Sequence, residues 1–131
     1  MDRLASAGVL VSRVLLASIF LFAGVGKIFN FAATQGAMAA QGMHMTGLFL
    51  VLAIFVELGG GFSVLVGFFP RLGALALFLF LVPVTLVFHR NLSDPAQLGH
   101  FMGNVGIMGG LMAIVSVGGG EFSVGAKKGD R

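Results

Sequence analysis

Glu57 is the residue of this chain whose surroundings most strongly indicate chemistry. It is the only acidic residue between Asp2 and Asp94, and it follows an uninterrupted apolar run over 48–56. A lone carboxylate at the centre of a membrane helix costs about 2.5–3.5 kcal/mol on insertion scales, so it normally faces a bundle interior, pairs with a cation or stays protonated. The sequence therefore predicts a buried polar site within a membrane protein, with Glu57 as a candidate proton relay.

Two cations lie in or beside another apolar segment, 9–29, and either of them could be the partner of Glu57. An inward-facing helical stripe at intervals of four, three, four and three residues passes through Arg13, Ala17, Phe20, Gly24 and Lys27. At 1.5 Å per residue the two charges lie about 21 Å apart along the axis, so either long side chain could reach Glu57. A nearby cation favours the charged carboxylate, whereas dry burial favours the neutral acid. The sequence leaves both the partner and the charge state open.

The composition is that of a chain surrounded by lipid. Of the 131 residues, 57% are hydrophobic and 10% are charged, whereas about 25% of a soluble domain is charged. The net charge of +3 comes from basic residues that stand beside apolar segments, so we expect a lipid bilayer and no nucleic acid as partner. The absence of cysteine excludes dithiol redox chemistry and thiolate metal ligands within this polypeptide.

Four apolar segments are long enough to cross a bilayer, at about 9–29, 46–69, 72–89 and 99–117. Roughly 17–25 residues cross a hydrocarbon core as a helix, and backbone groups in lipid need internal partners. The Ala- and Met-rich stretch 30–45 is predicted to form a short interfacial helix. The expected fold is all-α: one polytopic membrane domain over 1–131, a four-transmembrane-helix bundle with a short interfacial helix between helices 1 and 2.

The connections and flanks add further expectations. Residues 70–71 are expected to be the whole link between the second and third spans, which makes those spans antiparallel neighbours. Ser93 or Asp94 is a candidate N-cap with Pro95 in the first turn of the last helix. Five or six basic residues flank one side of the bundle, against Lys27 and Arg90 on the other, which predicts that both termini are cytoplasmic. Small-residue spacing in the last helix predicts close packing at Gly99, Gly103, Gly106 and Gly110.

No metal site is predicted. The histidines stand at positions 44, 89 and 100, and no two of them are three or four residues apart. A single helix therefore does not present two imidazoles on one face, although imidazole is a good metal ligand.

Several short motifs occur in a recognisable order. In the first helix an Arg is followed by a Gly-x-x-Lys-like element (24–27). The second helix carries Glu-Leu-x-Gly-Gly (57–61), and Pro-Arg-Leu-Gly (70–73) comes after it. The fourth helix carries Phe-Met-x-Asn (101–104) and a Gly-Gly pair. Together they resemble the DoxX family of small bacterial and archaeal membrane proteins. The resemblance implies a four-helix bundle in the cell (inner) membrane. It also implies an association, in some members, with quinone-linked oxidation of small sulfur compounds and, in others, with membrane complexes of oxidant and thiol defence.

Three functions are compatible with this pattern. In the first, the chain is a membrane subunit of an oxidoreductase that binds a quinone between its helices. Lys27, Asn104 or His89 would donate hydrogen bonds to the quinone, with Asn104 and His89 as the candidate cofactor contacts. Glu57 would relay protons, with Lys27 and Arg13 as the candidate catalytic cations. The chain has no intrinsic cofactor, so a protein partner with a flavin, haem or other redox cofactor would supply electrons.

In the second hypothesis the chain is a non-catalytic membrane anchor or assembly factor for a redox or oxidant-defence partner. In the third it is a small proton-coupled transporter that works as a homo-oligomer, which four short helices make less favourable. The chain is expected to be, at most, one subunit of an enzyme.

Overall fold

A computed structural model of the protein describes residues 2–88 and 91–124. In these two ranges the chain forms five helices and no strand: α1 (Arg3–Phe29), α2 (Phe31–Ala40), α3 (Thr46–Val66), α4 (Pro70–Phe88) and α5 (Pro95–Val117). Four of them, α1, α3, α4 and α5, are long and apolar enough to cross a membrane. The predicted all-α polytopic architecture is confirmed, and α2 is the short helix between the first two spans.

Side-chain caps set the start of two helices. Asp2 precedes α1, and its Oδ1 accepts a hydrogen bond from a backbone N–H of the first turn at 2.7 Å. The cap starts α1 at Arg3, which is six residues before the position expected from hydrophobicity alone. Asp94 caps α5 in the same way at 3.0 Å, with Pro95 as the first helical residue, in agreement with the sequence signal.

A tight turn joins α3 to α4. Gly67 has a φ of 76° and ends α3 in the left-handed conformation that suits glycine, so the helix stops three residues before the expected position of 69. Pro70 then begins α4 instead of standing in the linker. The Ser63 hydroxyl donates to the Phe68 carbonyl oxygen at 2.6 Å, which braces the turn. The second and third spans are therefore antiparallel neighbours, as expected.

The central helix of the bundle is α3. It packs against α1 on one side and α4 on the other, while α5 packs mainly on α4 and α2 lies against α3. The core is formed by apolar side chains from all four spans, with Ala17, Phe20, Val64, Ala74, Leu77, Leu81, Leu111 and Ile114 buried. The α1 stripe is confirmed as an inward face, because its members Arg13, Ala17, Phe20 and Gly24 are buried.

Helix α5 makes little use of its glycines within this chain. Of the four glycines expected to pack closely, Gly110 lies against Leu16 of α1, while Gly99, Gly103 and Gly106 face open space. The contact at Gly110 joins α1 to α5 at one level of the bundle. Close approach through glycine occurs instead between α3 and α4, where Gly60 lies against Leu77.

Candidate functional site

Lys27 of α1 and Glu57 of α3 meet inside the bundle. Lys27 Nζ lies 2.8 Å from Glu57 Oε1, and the exposed fraction of the two side chains is 29% and 2%. Gly24, one turn before Lys27, allows the helices to approach, since a Cβ there would lie 2.7 Å from Leu58 Cδ2 and 3.4 Å from Glu57 Cβ. The structure thus identifies Lys27 as the cation beside Glu57.

The ion pair leaves hydrogen-bonding capacity on the carboxylate. The Lys27 ammonium lies 2.8 Å from Oε1, and beyond this ion pair no group that the structure describes donates a hydrogen bond to this buried oxygen. A carboxylate oxygen has two lone-pair positions, so the ion pair occupies only part of its accepting capacity. Oε1 is therefore well suited to accept a hydrogen bond from a ligand.

A cavity of about 250 Å³ lies beside this pair, among α1, α3, α4 and α5. Its polar lining consists of Lys27, Glu57 and Asn104, and we call it the polar cavity. The remaining walls are apolar and come from α1, α4 and α5: Ile19, Phe20, Ala23, Phe80, Leu81, Val84 and Ile107. The cavity thus combines a charged pair and an amide with aromatic and aliphatic walls.

Asn104 is held in place by Thr85, which the sequence analysis did not assign to the site. Its Nδ2 donates to Thr85 Oγ1 at 3.1 Å, and the Thr85 hydroxyl donates to the Leu81 carbonyl oxygen at 2.7 Å. Because an amide nitrogen carries two N–H groups, Asn104 retains donor capacity for a ligand. Thr85 is the only hydroxyl-bearing residue of α4. Its isolation in an apolar helix was the sequence feature that could have indicated a place at the polar site.

A second cavity of about 310 Å³ lies between α2, α3 and α4, and we call it the apolar cavity. Apart from Lys27 and Thr34 its lining is apolar: Met38, Met43, Phe49, Leu50, Leu52, Ala53, Val56, Phe80, Pro83, Val84, Val87 and Phe88. Three residues, Lys27, Phe80 and Val84, line both cavities. The two spaces therefore adjoin at the Lys27 end of α1.

Arg13 lies away from Glu57 and binds backbone carbonyl groups. Its Nε donates to the Val64 carbonyl oxygen and its Nη2 to that of Leu65, both at 2.8 Å. These carbonyls belong to the last turn of α3, which has no helical donors of its own to offer them. The side chain is 1% exposed, so these bonds satisfy a buried cation and a buried helix end together.

The same guanidinium also binds the segment after α5, residues 118–124, which we call the C-terminal strap. Nη1 of Arg13 donates to the carbonyl oxygens of Gly119 at 2.9 Å and Phe122 at 2.7 Å. The strap is fixed further by the Glu121 N–H, which donates to Ser6 Oγ at 3.2 Å. Arg13 thus ties α1, the end of α3 and the strap together, a positioning role at a distance from the polar cavity.

The other predicted site residues are placed as follows. His89, a candidate quinone contact, lies outside the described residues. Within 2–88 and 91–124 there is no group of three or more His, Asp or Glu side chains that could hold a metal ion. Lys27, Glu57 and Asn104 are the predicted residues that the structure brings together.

Comparison with known proteins agrees with this architecture. Residues 8–90 match the DoxX family model. The chain is 38% identical over 124 residues to "Inner membrane protein YqjF" of Escherichia coli (strain K12), which covers 95% of this chain and 94% of that protein. It is 28% identical over 121 residues to "Inner membrane protein YphA" of the same organism, covering 88% and 86%. No solved structure matches the chain. With its four membrane-spanning helices and these similarities, the chain is a multi-pass membrane protein that belongs to the DoxX family.

Proposed function

We propose that the chain is the membrane subunit of a quinone-linked oxidoreductase and that its polar cavity binds the quinone ring. The observation that carries this proposal is the Glu57 carboxylate, which is 2% exposed and paired with Lys27. Its Oε1 retains an open acceptor position in a cavity that also presents Asn104. A buried ionisable group inside a membrane bundle marks a functional site by default.

The lining of the polar cavity fits both redox forms of such a ligand. The Lys27 ammonium and the Asn104 amide can donate to the carbonyl oxygens of a quinone, while Glu57 can accept from the hydroxyl groups of a quinol. Phe20 and Phe80 offer apolar surface to a planar ring. Ligand sites typically combine mostly apolar walls with a few placed polar groups, which is the composition of this cavity.

Quinone reduction consumes two electrons and two protons, and the chain supplies a route for the protons. Glu57 is the buried carboxylate beside the ligand position, and Lys27, which is partly exposed in the last turn of α1, would connect it with water at the membrane surface. A carboxylate within hydrogen-bond reach of the reacting oxygen can act as general acid or base. We assign the electrons to a partner protein with a flavin, haem or other redox cofactor, because the sequence offers no cysteine and no cofactor-binding motif.

We also propose that the chain resides in the cell (inner) membrane with both termini in the cytoplasm. The printed names of its two relatives place those proteins in the inner membrane. Arg3 begins α1, and Arg71 lies in the first turn of α4, at the end of the bundle opposite Lys27. This distribution of cations supports the orientation through the positive-inside rule.

Binding of a tail-less benzoquinone and its quinol to the purified protein in nanodiscs tests the proposal. Native mass spectrometry would count the bound molecules under anaerobic conditions. We expect Glu57→Gln to weaken quinol binding by about tenfold, the loss of roughly one charge-assisted hydrogen bond, with a smaller effect on the quinone. Glu121→Gln, at an exposed acid, is the matched control. Equal binding of both forms by Glu57→Gln and wild type, or no binding by wild type, would refute the proposal.

A non-catalytic anchor is the second candidate, and the surface of α5 favours it. Gly99, Gly103 and Gly106 leave open space on that helix, and small residues allow close approach of another membrane helix. A partner subunit or a second copy of the chain could pack there. In this case Gly103→Leu lowers the amount of partner that co-purifies, deletion of the chain depletes the partner from the membrane, and Glu57→Gln acts through folding alone.

A further inference from the structure

We infer that the ligand is a membrane-resident quinone whose isoprenoid tail occupies the apolar cavity while its ring occupies the polar cavity. The inference rests on the proposed function and adds the class of quinone. It treats the two cavities as one amphipathic site that is joined at Lys27.

The two cavities are adjacent, and three side chains that line both of them stand at their boundary. Phe80 and Val84 are four residues apart on α4 and so lie on one face of that helix, and Lys27 reaches the same place from α1. A molecule that contacts Glu57 with its ring therefore has the apolar cavity directly beyond these three side chains. In the inferred site the tail passes between these side chains from one cavity to the other.

The chemistry of the apolar cavity selects a hydrocarbon occupant. Apart from Lys27 and Thr34, the described side chains around its 310 Å³ carry no nitrogen or oxygen atom. A cavity of this kind offers water too few partners to be filled stably. Its volume is at the lower end of the range of about 300–1,000 Å³ that is usual for ligand sites. Met38 and Met43 add flexible side chains that can adapt to a chain-like ligand.

The charge at the junction favours a neutral head group. Among the described residues, Lys27 is the only charged one in the apolar lining, and its ammonium is already paired with Glu57 at 2.8 Å. An anionic head group, such as that of a fatty acid, would compete with the Glu57 carboxylate for this cation. The two negative charges would also repel each other. A quinone ring carries no charge and can accept a hydrogen bond from Lys27 without displacing Glu57.

The test compares a benzoquinone with an isoprenoid tail and the same benzoquinone without it, in nanodiscs that hold wild-type or variant protein. Ala53→Leu and Val87→Phe fill the apolar cavity from α3 and α4 and lie outside the polar cavity. Ala76→Leu adds the same bulk on an exposed face of α4 and is the matched control. Comparing variants with wild type for one ligand at a time cancels the partitioning of the ligand into lipid.

We expect each cavity-filling variant to weaken binding of the tailed quinone by about tenfold or more, and to change tail-less binding by less than about twofold. Ala76→Leu should leave both ligands unaffected. If both filling variants leave tailed binding unchanged, or weaken both ligands equally, the inference is overturned.

The same data separate this inference from the proposed function. The quinol forms of both ligands are tested in the same way, because Glu57→Gln acts mainly on the quinol. Tail-less quinol binding that is sensitive to Glu57→Gln, together with tailed binding that is insensitive to Ala53→Leu, removes the tail site and leaves the ring site standing. Tailed quinol binding that is lost in Ala53→Leu but unaffected by Glu57→Gln contradicts the proposed ring site. Failure of wild type to bind either ligand overturns both.

Discussion

Lys27 and Glu57 form an ion pair that is buried at its acidic end and partly exposed at its basic end. Nζ and Oε1 lie 2.8 Å apart, with exposed fractions of 29% for lysine and 2% for glutamate. A pair of this kind differs from a closed internal salt bridge, because the lysine is partly exposed in the last turn of α1 while the carboxylate lines the polar cavity. The asymmetry leads to different expectations for the two residues.

Removal of the lysine should be the more damaging change. Lys27→Met leaves the Glu57 carboxylate buried without its cation, which costs about 3–5 kcal/mol when one partner of a buried pair is lost. Glu57→Gln leaves a lysine that can extend its long stem towards water, so its cost should be lower. The free energy of unfolding in a denaturing-detergent titration measures both.

The double variant Lys27→Met/Glu57→Gln supplies the control for this prediction. It strands no charge, so it should be more stable than Lys27→Met alone. Destabilisation that simply adds across the two substitutions would show that the residues are not energetically coupled.

Arg13 should be irreplaceable by lysine. Arg13→Lys keeps the charge but loses the planar fork of donors that now reaches four carbonyl oxygens. Hydrogen bonds to charged groups contribute about 1.5–3 kcal/mol each, so loss of two would cost about 3 kcal/mol or more. The C-terminal strap should also loosen, which a protease specific for glutamate would report as faster cleavage after Glu121.

Arg3→Lys is the matched control for that experiment, because Arg3 is exposed at the start of α1. It should leave stability and cleavage at their wild-type values. Equal cleavage rates for Arg13→Lys and wild type would mean that the guanidinium does not hold the strap.

Two adjacent glycines of α3 should differ in how much the same substitution destabilises the protein. A Cβ on Gly60 would lie 2.8 Å from Leu77 Cγ and 3.3 Å from the Gly73 carbonyl oxygen, whereas one on Gly59 would meet nothing within 4 Å. Gly60→Ala should therefore separate α3 from α4 and cost about 1–3 kcal/mol. Gly59→Ala should cost nothing measurable. Equal unfolding free energies for the two variants would contradict the packing of α3 on α4.

The contact between Asn104 and Thr85 should couple stability to ligand binding. Interhelical hydrogen bonds in membranes contribute about 0.6 kcal/mol on average and about 1.7 kcal/mol at most, so a double-mutant cycle of Thr85→Val and Asn104→Leu should give a coupling energy in this range. Thr85→Val should also weaken quinone binding, because the Asn104 amide loses the partner that orients it. An unchanged quinone affinity in Thr85→Val would remove Asn104 from the binding site.

The buried face of α1 was predictable from the sequence, whereas the partner of Glu57 was not. The spacing of Arg13, Ala17, Phe20 and Gly24 defines one stripe, and a charge in an apolar helix must face inward. Both cations had the reach to pair with Glu57. Arg13 is instead held by carbonyl groups of the α3 end and of a strap 106 or more residues away along the chain, and no local pattern encodes that arrangement.

The helix count and the cavities illustrate the same limit. Segment length and hydrophobicity were sufficient for four spans, and the caps at Asp2 and Gly67 explain why two helix ends differ from the apolar boundaries. The polar cavity depends on where α1 and α5 separate. The sequence predicted close packing at four glycines of α5, and it could not indicate that Gly110 alone among them would contact α1, at Leu16.

Gentle extraction of the protein from its native membrane, followed by mass spectrometry of co-purified proteins and lipids together, tests the central claim most directly. We expect a stoichiometric quinone or its quinol, together with a cofactor-bearing protein, to co-purify with the wild-type chain. Glu57→Gln should retain about tenfold less of the quinol, with a smaller loss of the quinone, and should keep the protein partner. A partner without quinone would favour the anchor, and recovery of the bare chain with ordinary phospholipid would contradict the account.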